Sequence, residues 1–258
     1  MNTRQITLQQ RLAQYTLHPP QVIWLDSIDS TNQALQRREI AVSESLLIIA
    51  DQQTQGRGQA GRQWQSPTGN LYLSVCLPIH RPLQGRMALE VALAVLDTPL
   101  LNAAMGLGIK WPNDLYHHQA GRLSKWGGIL VESKSPQQVL IGLGINLQAM
   151  QTYVHDQTVS DLSSILQHQI DPISLITQLY VALSRAVQQF DQGSLELPAR
   201  FSRYDLLANQ SVQITLPSQR MLIGRADGIA QDGAFRIVTA HGTEQIYSGQ
   251  VRRIDQGS

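Results

Sequence analysis

Apolar residues fall into short runs along the chain, and the length and period of each run set the element it predicts. Residues 22–25 and 46–50 read as short buried strands. Between them, residues 30–38 carry a helix start: Asp29, Ser30 and Thr31 offer N-cap oxygens, and Ala34 and Leu35 begin the apolar side. Residues 51–68 show no apolar periodicity and hold Gly56, Gly58, Gly61 and Pro67 with Arg57 and Arg62. A loop of that length inside a compact domain is usually functional. In residues 70–77, Leu71, Leu73 and Val75 alternate with Tyr72, Ser74 and Cys76, which predicts a strand ended by Pro78. Residues 86–96 predict a buried helix, and 108–111 a strand stopped by Pro112, with a turn at Asn113 and Asp114. Residues 126–133 and 138–146 predict a hairpin joined through 134–137. Residues 172–190 predict a helix with Leu175, Leu179, Leu183 and Val187 on one face.

After a boundary placed near residues 206–210, the pattern changes to short strands at 212–216, 221–226, 234–239 and 244–247. Turn signals separate them at Pro217-Ser218, Asp227-Gly228, Asp232-Gly233 and His241-Gly242, which predicts a small antiparallel barrel or sandwich. The 258 residues suit one to two domains. Twenty Lys and Arg against 19 Asp and Glu leave a net charge of +1, which argues against a globally basic nucleic-acid binder. Cys76 is the sole cysteine, so no internal disulfide or multi-cysteine zinc site forms, and a reducing compartment is expected. Residues 1–10 lack the apolar core of a signal peptide, and no run approaches the roughly 18 apolar residues of a membrane span. A cytoplasmic protein with no membrane partner is the expectation. His117 and His118 are read as a solvated turn without metal-ligand spacing.

Five segments carry candidate chemistry. In residues 56–64, three glycines let the backbone approach a ligand and form an anion-binding nest. Arg57 and Arg62 suit a phosphate or carboxylate, and Trp64 offers a flat face; the bland alternative is a flexible surface loop. Neither a Walker phosphate loop nor a dinucleotide fingerprint fits the segment. Lys110, Asn113 and Asp114 bracket a Trp111-Pro112 pair: a magnesium or nucleotide site, or an ordinary turn. Lys125 precedes Gly127 and Gly128, at a ligand approach or a bulge. Gly142 and Gly144 clear one strand face for a planar group, or for close helix packing, and Asn146 can read a base edge. Asp29, Ser30, Thr31 and Asn32 serve either hydrogen bonding to a ligand or capping.

In this order and at these separations the five segments, with Gln53, Ser66-Pro67 and residues 129–132, resemble the biotin–protein ligases. The resemblance covers residues 22–254, including Asp232-Gly233-Ala234 and residues 248–251 in the C-terminal part. It implies an α+β fold: a mixed, mostly antiparallel sheet flanked by helices, like that of class II aminoacyl-tRNA synthetases and biotinyl/lipoyl ligases, in residues 1–209. A small SH3-like β-barrel in 210–258 would follow. It implies activation of biotin by ATP with Mg2+ as biotinyl-5'-AMP, then transfer to a lysine of a biotin carboxyl carrier protein such as that of acetyl-CoA carboxylase. The implied catalytic group is Lys125, Arg57, Lys110 and Asp114, with Asp114 also placed on the metal. The implied biotin contacts are Ser30, Thr31, Asn32, Gln53, Arg57, Gly58, Gln59, Lys125, Gly127 and Gly128, with Trp111 in the apolar wall. The implied ATP contacts are Arg57, Arg62, Trp64, Lys110, Asn113 and Asn146. Gln59 departs from the family, which commonly carries a basic residue there. A biotin-sensing repressor and a non-catalytic biotin-binding module are the competing readings. Residues 3–15 form one helix rather than a three-helix DNA reader, so the monofunctional ligase without a DNA partner is expected, as a monomer or weak homodimer.

Overall fold

The computed structural model describes residues 2–148 and 158–254. Seven strands form the main sheet: β1 (Gln21–Leu25), β2 (Leu46–Ala50), β3 (Leu71–Pro78), β4 (Leu107–Lys110), β5 (Asp114–Gln119), β6 (Arg122–Ser135) and β7 (Gln138–Ile145). Their order is β1-β2-β3-β7-β6-β5-β4; β1 and β2 are parallel and every other pair is antiparallel. The helices are α1 (Thr3–Tyr15), α2 (Thr31–Arg37), α3 (Arg86–Leu96), α4 (Leu162–Leu166), α5 (Pro172–Asp191) and α6 (Leu197–Ser202).

Strand alternation decides which face each helix covers. Leu47, Ile49, Leu73, Val75, Ile141 and Leu143 point to one face and join the main core with α3 and α5. Leu46, Ile48, Cys76 and Leu140 point to the other face and meet Ala34 and Leu35 of α2. Cys76 is therefore a core residue, and burial pushes its thiol up to about 11. The short α2 leaves the rest of its face uncovered by helix, and that is where the candidate chemistry gathers. At the sheet edge, α1 stands in for a neighbouring strand. The Val22 N–H donates to Gln9 Oε1 at 2.9 Å and the Trp24 N–H to Gln5 Oε1 at 3.3 Å, while Gln9 Nε2 donates to the Pro20 carbonyl at 2.8 Å.

A second, five-stranded antiparallel sheet follows: β8 (Ser211–Thr215), β9 (Met221–Ile229), β10 (Phe235–Thr239), β11 (Gly242–Ile246) and β12 (Gln250–Arg253), in the order β11-β10-β9-β8-β12. Phe235, Ile237 and Val251 belong to the same apolar cluster as the main core. Trp111 makes the join. Its indole N–H donates to the Gly233 carbonyl at 3.0 Å and its ring lies 5.4 Å from that of Phe235. Trp111 is thus an anchor for the second sheet.

Several expectations need correction. The turn expected at Asn113 and Asp114 ends at Asn113, where β5 begins with Asp114, and His117 and His118, read as a solvated turn, sit on that strand. α4, α6 and β12 were not legible as elements. Among the described residues no helix is long and apolar enough to cross a membrane. Glu90 on α3, 1% exposed, receives a bidentate pair from Arg200 on α6 at 2.9 and 2.6 Å. Arg200→Ala leaves that carboxylate buried without its partner and is expected to cost about 3 kcal/mol in urea unfolding. Adding Glu90→Leu should restore most of it; a single-variant loss below about 1 kcal/mol contradicts the assignment.

Candidate active site

Residues paired directly across strands share a face, so the register draws rows across the sheet. One row runs Ala50, Tyr72, Gly144, Gly128, Asp114, Lys110, over β2, β3, β7, β6, β5 and β4. The next runs Ile48, Ser74, Gly142, Leu130. The glycines open a trough in the middle of the face that α2 leaves bare, and side chains of the chain lie down in it. A Cβ on Gly144 would come within 2.5 Å of Trp64 Nε1, and one on Gly128 within 2.9 Å of the Trp64 ring. A Cβ on Gly142 would collide with the Asn32 carboxamide oxygen. The planar group expected over this strand is thus the chain's own indole, with an amide beside it. Gly127 faces the other way, towards Leu115, and offers the site only its backbone.

Lys125 reaches the row through a bulge. Leu115 pairs with Gly127 but Tyr116 with Lys125, so Trp126 is an extra residue. Strict alternation would put Lys125 on the core face; the bulge turns Trp126 into the core, fully buried, and returns Lys125 to the site. Its Nζ lies 2.6 Å from Asp114 Oδ1 and 5.0 Å from the Trp64 ring. The bulge alternative was right about the backbone, but the lysine side chain is only 13% exposed.

The loop over the trough is built rather than irregular. Arg57 and Gln63 form an antiparallel bridge, the Gly58 N–H donates to the Arg62 carbonyl at 2.7 Å, and the Trp64 N–H to the Gly56 carbonyl at 2.9 Å. A single 3-10 turn, Gln59–Gly61, closes this small hairpin, with Ala60 at φ 54° and Gly61 at φ 73°. The Gly58 and Trp64 amides are therefore engaged internally and unavailable to an anion nest. Gln59 lies at the hairpin tip, where its carbonyl accepts from the Arg62 main and side chains.

The capping reading of residues 29–32 fails. Ser30 is the N-cap of α2 but its side chain makes no capping bond, and Asp29 pairs instead with Arg37 at 2.6 Å. Burial pairs the others with the sheet. Gln53 Oε1 accepts from the Thr31 N–H at 2.9 Å and lies 3.1 Å from Thr31 Oγ1, whose proton goes to Ser74 Oγ at 2.7 Å; Gln53 Nε2 donates to Ser66 Oγ at 3.0 Å, which donates to the Trp64 carbonyl at 3.1 Å. Asn32 accepts a hydrogen bond from Ser74 and donates to Glu132 Oε2 at 2.9 Å. Arg57 Nη2 lies 3.5 Å from Glu132 Oε1. One network thus joins the α2 start, the sheet and the loop.

Cations converge at the other end of the row. Burial holds the Lys110 ammonium below its ordinary pKa, opposed by Asp114 and reinforced by Lys125, Arg252 and Arg62. Lys110 Nζ also lies 5.1 Å from the Tyr116 ring, and burial raises the phenol above its ordinary value. This cluster fits a polyanion. Among the described residues no three metal-ligating side chains group together. A magnesium ion carried on phosphates needs only one or two protein carboxylates, and Asp114 is the carboxylate in the row.

Two predicted site residues are committed elsewhere in part. Asn113 is buried and donates through Nδ2 to the Ile129 carbonyl at 2.7 Å. Asn146 donates to the Ser160 and Lys125 carbonyls at 3.1 and 3.4 Å, while its Oδ1 is buried without a hydrogen bond among the described residues. Trp64 Nε1 is likewise buried and unpaired. The structure adds Ser74, Glu132, Tyr116 and Arg252. Strand alternation put Ser74 on the face of Tyr72 and Cys76, but no local signal marked it or Arg252 as site residues.

A model of the biotin/lipoate A/B protein ligase family matches residues 24–146. The bifunctional ligase/repressor BirA of Escherichia coli is 32% identical over 222 residues, which covers 82% of this chain and 67% of that protein. The biotin–[acetyl-CoA-carboxylase] ligase of Mycobacterium tuberculosis is 29% identical over 234 residues, 86% of this chain and 85% of that one. In fold, the structure of the biotin protein ligase from Aquifex aeolicus in complex with biotin and ATP superposes with a TM-score of 0.76 at 24% identity, over 90% of this chain and 99% of that one. The α+β architecture, the glycine row and these matches agree: the chain belongs to the biotin/lipoate A/B protein ligase family.

Proposed function

We propose that the chain is an ATP-dependent biotin–protein ligase. It joins the biotin carboxylate to the α-phosphate of ATP, giving biotinyl-5'-AMP and pyrophosphate, then passes the acyl group to a lysine amine of a biotin carboxyl carrier domain with release of AMP. The observation that carries this reading is the row Gly144, Gly128, Asp114, Lys110, with Lys125 turned onto it by the bulge. It sets a hydrogen-bonding network at one end of a flat-floored trough and a group of cations at the other.

The roles follow from chemistry. A ureido ring needs donors and acceptors together, which Ser30, Thr31, Asn32 and Gln53 offer at the α2 end, with Gly58 and Gln59 of the hairpin above. A carboxylate and a triphosphate repel one another as they meet. Lys125, Lys110, Arg57 and Arg62 lower that barrier by charge, without a nucleophilic side chain from the protein. In this reading Trp64 and Asn146 face the adenine, the latter through its unpaired Oδ1, and Asn113 contributes its oxygen. Magnesium, when bound, neutralises the phosphates, with Asp114 as its protein ligand. The hairpin over the trough keeps water from the mixed anhydride until the acceptor arrives. Residues 1–209 would form the catalytic part and 210–258 the cap that carries Arg252.

Biotin-dependent exchange of labelled pyrophosphate into ATP tests the reading directly. Exchange is expected, whereas biotin binding without exchange would make the chain a binding module. Lys125→Ala should lower the exchange kcat by about 100-fold or more. Gly144→Val, whose side chain collides with Trp64, should raise the KM for biotin about tenfold or more with the fold retained; an unchanged KM contradicts the trough. Gln59→Arg restores a cation at the hairpin tip and should slow release of trapped radiolabelled adenylate. Equal release from both proteins would exclude that role.

A further inference from the structure

We infer that Glu132 and Lys134 are positioning residues that fix α2 along its own axis, and with it Thr31 and Asn32. This rests on the biotin-ligase reading. The two lie near the end of β6, Lys134 in a register irregularity between Ser133 and Ser135, and the contacts of both place them on the face that carries α2. Glu132 takes the start of the helix, accepting from Asn32 Nδ2 at 2.9 Å. Lys134 takes its end. The ammonium donates to the carbonyls of Leu35, Gln36 and Arg38 at 3.0, 3.2 and 2.7 Å where the helix stops, the Leu35 carbonyl also accepting the Arg38 N–H at 3.2 Å. Each charge has the sign its helix end favours. Gln138, on β7, extends the grip by donating to the carbonyls of Ile40 and Ala41 at 3.1 and 3.2 Å.

Apolar contact alone does not supply this constraint. Ala34 and Leu35 set the height of α2 over Ile48, Cys76 and Leu140, but a contact between two apolar surfaces is non-directional and permits sliding. Directional bonds at both ends forbid it. A slide of about 1 Å is enough to misplace hydrogen-bonding groups towards a ligand. Glu132 also receives Arg57 at 3.5 Å, so the same carboxylate registers the helix start against the loop hairpin. Lys134 lies at the helix end opposite Thr31 and Asn32, which makes it the cleaner probe: its effect on biotin must travel through α2.

The test measures biotin affinity by calorimetry, and the KM for biotin, KM for ATP and kcat by pyrophosphate exchange. Lys134→Met keeps the apolar stem and removes the charge. It should weaken biotin about tenfold, with the KM for ATP and kcat within about twofold of wild type. Glu132→Ala should weaken biotin at least as much, and Glu132→Gln, which keeps an acceptor for Asn32, less. Arg57→Ala/Glu132→Ala should weaken biotin by less than the product of the two single effects, because Glu132 acts partly through Arg57 and partly through Asn32. Unchanged biotin affinity in folded Lys134→Met and Glu132→Gln overturns the proposal, as does a parallel decline of all three kinetic constants. Fully multiplicative effects in the double variant overturn the link to Arg57. Loss of exchange in the wild type would instead refute the ligase reading, with the calorimetric comparison still deciding the role of the two residues.

Discussion

The site depends on missing side chains. Where β7 and β6 run side by side, Gly144 and Gly128 face each other on the part of the α2 face that the helix leaves uncovered, and Gly142 follows one row on. Any Cβ at these places would collide with Trp64 or Asn32. Their absence lets an indole and an amide lie flat on the main chain. Among the described residues two buried polar atoms here lack a hydrogen-bond partner: Trp64 Nε1 and Asn146 Oδ1. Such atoms cost about 1–3 kcal/mol each and are rare in folded proteins.

Around the trough, strand parity does the sorting. Lys110, Asp114 and Tyr72 share the glycine row because of register alone, and Lys125 joins it because one bulge changes its parity. Asp114 pairs with Lys125, while Lys110 is held partly desolvated among other cations. An incoming polyanion relieves that repulsion. The second sheet takes part through Arg252, and the Trp111 anchor holds it there.

Much of the fold was legible because its signals are local. The apolar period gave α3 at its observed bounds and placed the β6–β7 hairpin, and β2 follows directly from residues 46–50. What escaped depends on tertiary contact. β5 was hidden by turn chemistry at its first residue, Asp114, and by the polar His117, His118 and Gln119. β12 is short and carries Arg252 and Arg253, and it is held by pairing with β8. In the site, the motif residues were visible as a set, but their relations were not. Ser30, Thr31 and Asp29 look like helix caps in sequence and are not used as such. Trp111 anchors the second sheet, which no local signal marks, and Glu132 reads as the end of an apolar strand yet joins helix, sheet and loop.

The central claim is spatial: the activated acyl group forms on the glycine row, between the α2 network and the cations near Asp114. A crystal structure with a non-hydrolysable biotinyl-adenylate analogue tests it most directly. The account predicts the ureido ring at Thr31, Asn32 and Gln53, the linkage at Lys125 above Gly128, and the adenylate phosphate among Arg57, Lys110 and Arg62. An analogue bound away from this row, or one that leaves Lys125 and Arg57 untouched, would contradict it.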